Sequence, residues 1–333
     1  MQNGKDDSEP DLNKMEDLLI FKKKFDILLE EYLDDKIKKI SKYTEDPSIL
    51  DYLGYLKINS LHGGKRIRPY LAYLAYQTLS KKENDEVLKL LVFLEIFHSF
   101  CLIHDDIIDK GNLRHGIPTS QAYIYSKLKK ENRTGDLKHV SDSQAILLGD
   151  IMLAWAQEIL NLNNDLDPKI VQKVKSYFYE MVDEVVVGQM IDADIVTRKN
   201  VSRELIDNKT RLKTAGYSFI KPLLIGAALS GKLDKNFETF CKEFGLAMGI
   251  AFQTQDDLLD ITSSDQKLGK TTSLDISQNQ HTYFTYFPSL EYGKKIISEN
   301  FKLARDLVKK VSINENGKKK FYDLIDLLQK REA

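Results

Sequence analysis

The sequence predicts an all-α protein, a single large helical bundle around a central cavity. Three observations carry that expectation. Apolar residues recur at helical spacing in one segment after another. No alternating apolar–polar run bounded by turn residues marks a strand. Two acidic motifs, Asp105-Asp106-Ile107-Ile108-Asp109 and Asp256-Asp257-Leu258-Leu259-Asp260, each end a long apolar approach. With 333 residues the chain can surround a cavity with about ten helices in one core.

Residues 1–14 combine Gly4, Pro10 and several charges without periodicity and read as a loose tail, leaving 15–333 as one domain. Over 15–40, Leu18, Leu19, Phe21, Phe25, Leu28, Leu29 and Tyr32 make one apolar stripe. A short helix at 50–61 ends at Gly63-Gly64. Pro69 suits a first helical turn and opens a helix through 79. Residues 83–104 form a long apolar helix that delivers the first acidic motif. Residues 111–120, with Gly111, Gly116 and Pro118, read as a loop, and polar 129–141 as an exposed connection. Helices follow at 143–161, with the only tryptophan, Trp155, and at 168–195, with Gly188-Gln189. Residues 202–230 read as two shorter segments broken by Gly216 and Pro222. The second acidic motif rides on 237–262, a polar loop covers 263–279, and helices at 293–310 and 317–331 close the chain.

Composition narrows the function classes. Hydrophobic residues make up 42% and charged residues 30%, ordinary for a globular protein. A net charge of −1 gives no reason to expect nucleic acid as a partner. Cys101 and Cys241 are too few and too far apart for a disulfide framework or a zinc site, and each reads as a small buried hydrophobe. Residues 1–20 lack the apolar core of a signal peptide, and no run of about 18 apolar residues appears. The expectation is a cytoplasmic protein without stable membrane insertion.

On a helix, Asp105 and Asp109 lie one turn apart on one face, with Asp106 beside them. Carboxylates stacked this way repel unless a cation sits between them. Hard oxygen donors suit Mg²⁺, which keeps waters and takes further ligands from substrate phosphates. The motif returns 151 positions later, preceded by Phe252-Gln253. Two such faces can close around one pool of metal and phosphate.

Basic residues accompany both. Gly63-Gly64-Lys65-Arg66-Ile67-Arg68-Pro69 pairs glycines that let amides approach an anion with cations at Lys65 and Arg68. Arg114-His115 trails the first acidic motif as Gly269-Lys270-Thr271 trails the second, and Lys213-Thr214 interrupts an apolar segment. On spacing alone His98 reads as a core histidine. His104-Asp105 resembles the start of a metallohydrolase motif, but His62, His98 and His139 do not supply the further ligands that chemistry needs.

In order along the chain, GGKRIRP, HDDIID, LRHGIPT, LLGD, GQMIDAD, KTAGYSFIKPLLIGAALSG, FQTQDDLLD and LGKTT resemble the trans-prenyl diphosphate synthases, or polyprenyl synthetases, over residues 60–285. The resemblance implies an all-α homodimer that joins an allylic diphosphate to isopentenyl diphosphate using three Mg²⁺ ions. It implies that Asp105 and Asp109 bind two of them, and that Asp256 binds the third with Asp260 held through water. Arg114, Lys213 and Lys270 would hold the allylic diphosphate. Gly64, Lys65, Arg68 and His98 would hold isopentenyl diphosphate, against the spacing-only reading of His98. Gln253 and Thr214 would line the place where the carbocation forms.

Two positions depart from the family pattern. His115 stands where a second arginine usually contacts isopentenyl diphosphate, and Gln280 where a lysine is common. Product length points to the helix before Asp105. The helical wheel puts Cys101 and Phe97 nearest the Asp105 face, whereas the family resemblance points to Phe100 as the floor. The pattern looks most like short-chain enzymes making C20, with C15 next. Competing readings are a regulatory or inactive subunit, which would show a degraded acidic motif, and a terpene cyclase, which would lack GGKRIRP and the second acidic motif.

Overall fold

The computed structural model describes the backbone of residues 12–162, 166–262 and 289–330, and the side chains of all of these but 12–15 and 260–262. In chain order the elements are α1 (Leu12–Ile40), α2 (Pro47–Leu61), α3 (Ile67–Ser80), α4 (Asp85–Leu90) and α5 (Val92–Ile108). A two-residue hairpin, β1 (Leu113–Arg114) and β2 (Ile117–Pro118), pairs Leu113 with Pro118 and Arg114 with Ile117. Then come α6 (Ser120–Lys130), α7 (Leu137–Leu162), α8 (Pro168–Ile195) and α9 (Arg203–Thr210). A π-helical segment (Arg211–Ile220), α10 (Lys221–Leu229), α11 (Lys235–Thr262), α12 (Leu290–Lys310) and α13 (Glu315–Gln329) complete the described chain. The all-α class follows from the sequence as expected.

Several boundaries differ from the sequence expectation, each for a local reason. Helix α1 begins at Leu12, so helix reaches back into the stretch read as a tail. Its buried stripe is Leu18, Phe21, Phe25, Leu29 and Leu33, while Leu19 faces solvent. The long helix expected at 83–104 is divided at Leu91, and α5 runs on to Ile108. Its start is the Asn84 cap, whose side chain accepts from the amides of Glu86 and Val87. Helix α6 rises from a stretch too polar to signal it, because Ile124 and Leu128, one turn apart, suffice to seat it on the core.

Gly216 and Pro222 do not break the chain at 202–230, which is helical from Arg203 to Leu229. The Lys221 amide still bonds five residues back, to the Gly216 carbonyl. Pro222 has no N–H to place, so the ladder can change there from π to α spacing without orphaning a donor. Gly226 is required where α10 crosses α3, because a Cβ there would lie 1.7 Å from the Ala72 carbonyl oxygen.

One apolar cluster reaches from Leu18 to Leu328. Helix α5 lies within it, with Phe93 and Phe97 both edge-on to Phe178 of α8 at 5.5 and 5.4 Å between ring centres. Phe321 of α13 packs edge-on against Phe240 and Phe244 of α11. By averaged hydropathy two stretches, Asp85–Ile108 and Leu137–Leu162, are long and apolar enough to cross a membrane, which the residue-by-residue reading did not find. The first is 72% buried inside the protein and carries an acidic motif, as a core helix does. The second is 44% buried and turns Ile146 and Leu147 outward.

Candidate active site

A cavity of about 530 Å³ opens between α5, α8, the π segment and α11. Asp105 of α5 and Asp256 of α11 both line it, together with Arg68, His98, Arg114, Lys213 and Gln253. The acidic residues stand at an electrostatically poor place. Asp105, Asp106 and the C-cap Asp109 end α5 at its negative pole, with no basic residue in the last turn. Helix α11 likewise has no basic residue in its last turn. Such carboxylates call for cations from outside their own helix.

The protein's own cations answer part of that demand. Arg114, held by the hairpin, donates from Nε and Nη2 to Asp106 at 2.9 and 2.6 Å. The Lys213 ammonium lies 3.2 Å from Asp105 Oδ1 and 2.5 Å from Asp192 Oδ2. Burial works against the charge on Lys213, but Asp105, Asp192 and Asp109 outweigh it and hold its pKa above the ordinary value. For Arg114, too, burial is outweighed by Asp106 and Asp105. Asp105 Oδ1 is nonetheless buried without a properly aligned hydrogen bond. Hard, anionic and under-coordinated, this oxygen fits a divalent cation. Among the described residues no three His, Cys, Asp or Glu side chains form a ready-made metal cage. That is compatible with Mg²⁺, which binds through one or two carboxylates and substrate phosphates rather than all-protein cages.

The middle aspartate of each motif has a different task. Asp106 is 5% exposed and grips Arg114, while Asp257, also 5% exposed, accepts from Gln253 Nε2 at 2.8 Å. Gln253 in turn accepts from Thr214 Oγ1 at 2.6 Å, which ties the π segment to α11. Asp109 is not among the cavity-lining residues, though its charge acts on Lys213. The side chain of Asp260, and Lys270 and Gln280, lie outside the described residues.

A second, small cavity of about 30 Å³ adjoins the first and is lined by Gly64, His98, Arg114 and His115 among others. His98, Arg114 and His115 line both. Gly63 must be glycine here, at φ +69°, because a Cβ would meet the His115 ring at 2.6 Å. The basic cluster splits in function. Arg68 faces the larger cavity, where Nη2 donates to Tyr217 and Ser218 at 2.6 and 2.7 Å. Arg66 turns into the core, 3% exposed, and donates to Asp26, Glu95 and the Leu61 carbonyl. Its left-handed backbone, φ 55°, anchors the loop between α2 and α3. Lys65 is exposed.

Below the carboxylates the wall is apolar. Phe100 and Cys101 line the larger cavity, and Phe100 packs on the rings of His104 and Phe97 at 4.8 and 5.5 Å. Phe97, 1% exposed, is not a lining residue and backs Phe100 from the core. Of the two residues the helical wheel points to, Cys101 lines the cavity and Phe97 does not, because angle alone ignores which neighbouring helix covers each position. Burial pushes the Cys101 thiol up to about 12, so it is an inert wall group.

Two residues of this site went unassigned in the sequence reading. Asp192 of α8 is 5% exposed and accepts from Lys209 and Lys213 at 2.9 and 2.5 Å. Burial opposes its charge, but the two ammonium groups hold its carboxyl down at about 2. The signal was present: Val185, Gly188, Asp192 and Ile195 form the buried stripe of α8, with one carboxylate in it. Tyr217 is the other. A larger cavity of about 920 Å³ between α9, α11 and α12 contains none of the expected site residues, and its wall carries exposed Arg203, Asp207, Lys295 and Glu299.

Residues 52–324 match the polyprenyl synthetase family. A geranylgeranyl diphosphate synthase of Methanosarcina mazei is 32% identical over 238 residues, covering 70% of this chain and 66% of its own. A farnesyl diphosphate synthase of Bacillus subtilis is 28% identical over 318 residues, covering 91% and 98%. A solved geranylgeranyl pyrophosphate synthase from Corynebacterium glutamicum, complexed with isoprenyl diphosphate and magnesium, superposes with a TM-score of 0.84 at 25% identity, covering 93% of this chain and 99% of that one.

Proposed function

The chain belongs to the polyprenyl synthetase family of prenyltransferases, and from that premise we propose that it condenses isopentenyl diphosphate with an allylic diphosphate, head to tail. One observation carries the reading: Asp105 and Asp256, from motifs far apart in sequence, share a single cavity with Lys213 and Arg114, above an apolar wall. Asp105, Asp109 and Asp256 are the carboxylates that would hold Mg²⁺, with Asp260 through water. The metal, in three copies, would neutralise charge on the leaving diphosphate.

The side chains supply the rest. Arg114, Lys213 and Lys270 bind the allylic diphosphate and oppose the negative charge that grows as its C–O bond breaks. Gln253 Oε1 and Thr214 Oγ1, hydrogen-bonded to each other on the wall of the same cavity, would offer their dipoles to the allylic cation. Gly64, Lys65, Arg68 and His98, with His115, hold isopentenyl diphosphate so that its double bond attacks that cation. The new C–C bond leaves a cation on the isopentenyl unit, and loss of a proton, taken by the departed diphosphate, restores a double bond. The apolar wall excludes water from the cation.

The half-buried wall of α7 with Ile146 and Leu147 exposed, and Val187 and Met190 exposed on α8, support a homodimer. Sedimentation that finds only monomer at assay concentration would remove that part of the reading. Product length is assigned to Phe100 as the floor, giving C20, with C15 the next expectation. Phe100→Ala is expected to lengthen the main product by at least one isoprene unit, read by chromatography of the hydrolysed products; an unchanged product puts the floor elsewhere. The activity itself is tested with purified protein, Mg²⁺, labelled isopentenyl diphosphate and each of the dimethylallyl, geranyl and farnesyl diphosphates. No labelled chain longer than the starter would refute it.

A further inference from the structure

We propose that Tyr217 is a positioning residue that fixes the tautomer of His98, keeping the ring proton on Nε2 so that this nitrogen donates to the diphosphate of isopentenyl diphosphate. For the identity of the ligand this role rests on the condensation reading above.

Tyr217 lies on the π segment, 7% exposed, and its hydroxyl has two partners. Arg68 Nη2 lies 2.6 Å away and His98 Nδ1 2.9 Å away. A guanidinium has donors and no acceptor, so the phenol oxygen accepts from Arg68. The phenol has one proton of its own, and Nδ1 is the acceptor the site offers it. Donating there makes Nδ1 the lone-pair nitrogen and leaves the ring proton on Nε2. The opposite arrangement, Nδ1–H donating to the phenol, leaves the phenol proton with no acceptor among the described side chains around it and gives up the pairing that satisfies both groups.

The tautomer matters because the ring is neutral. Burial, then the charges of Arg68, Arg114, Arg66 and His115, hold the His98 pKa well below its ordinary value. A neutral imidazole helps an anion only through the nitrogen that carries the proton. His98 lines both adjoining cavities, beside Arg114 and His115. The same tyrosine steadies Arg68, whose guanidinium sits 4.2 Å from the ring centre and whose Nε is buried without a hydrogen-bond partner. Tyr217 therefore orients two isopentenyl-side groups from the helical segment that also carries Lys213 and Thr214.

Nitrogen-15 NMR on histidine-labelled protein reads the tautomer directly, with His98→Gln to assign the resonance. In the free wild-type protein His98 is expected as the Nε2–H form, and in Tyr217→Phe, which keeps the ring under Arg68, as a mixture. Steady-state kinetics should show the KM for isopentenyl diphosphate rising about tenfold in Tyr217→Phe, more than kcat or the KM for the allylic diphosphate changes. In the His98→Gln background, whose amide has no tautomer, the same substitution should raise that KM much less. A wild-type His98 protonated on Nδ1 overturns the proposal, and so does a Tyr217→Phe effect of equal size with and without His98. If no prenyl diphosphate is made at all, the condensation reading falls, while the tautomer spectrum of the free protein still decides whether Tyr217 sets the ring.

Discussion

Asp105→Asn is expected to lower turnover by about a thousandfold, with Asp256→Asn close behind, while thermal stability stays level or rises. The size follows from what the carboxylate is asked to do. Removing one preorganised group that stabilises charge in a transition state costs about a hundredfold to a thousandfold, and loss of a metal ligand lies at the upper end. The opposite sign on stability comes from position. Asp105 sits in the last turn of α5, where the helix dipole disfavours a negative charge, beside Asp106 and Asp109. Neutralising it relieves that repulsion, at the cost of the ion pair to Lys213 at 3.2 Å. Turnover with labelled isopentenyl diphosphate and a thermal melt of the same preparation give both numbers. Activity within tenfold of wild type in Asp105→Asn would sink the metal-ligand assignment, and a large fall in melting temperature would make the residue structural instead.

Asp192→Asn is expected to damage both folding and activity. Its carboxylate is buried and is shared by Lys209 and Lys213. Taking the charge away leaves two largely buried ammonium groups without their common partner, and breaking a buried pair in this way costs about 3–5 kcal/mol. Lys213 would then lose the closer of its two carboxylate partners and be held by Asp105 alone, so turnover should fall as well. The pH dependence has a definite sign. The folded pKa, about 2, lies below the unpaired value of 3.8. Asp192 therefore contributes stability that is complete above the unpaired value and is lost as pH falls through about 2. At neutral pH the shift corresponds to roughly 2–3 kcal/mol. Urea melts of wild type and variant should differ most at neutral pH and converge only as pH drops toward about 2. A gap that is small at neutral pH, or that widens in acid, would contradict the assignment.

How much was legible in the sequence depends on the kind of information each feature needs. The helical class was legible because burying one face of a helix leaves a three-to-four spacing that any reader can count, from Phe21, Phe25 and Leu29 of α1 to Leu324 and Leu328 of α13. Helix α6 was missed because two apolar anchors in a polar run are too weak a pattern. The break expected at Gly216 and Pro222 was wrong because propensity rules assume the α ladder, and the chain changes ladder there. Asp192 was visible as a carboxylate in an apolar stripe and went unread, since only its two lysines, 17 and 21 positions on, explain it.

By itself, then, the sequence determined the helical class, the family and the two acidic motifs with their basic followers, since these are local patterns of residue type and spacing. The tertiary structure decided how the residues within each pattern divide. It sent Arg66 into the core and Arg68 to the cavity, turned Asp106 and Asp257 to neighbours while Asp105 and Asp256 line the cavity, and set Phe97 behind Phe100. Residues adjacent in sequence diverge in this way because each helix face is claimed by a different neighbouring element. Those neighbours are brought in by burial of surface across the whole chain, which no single motif encodes.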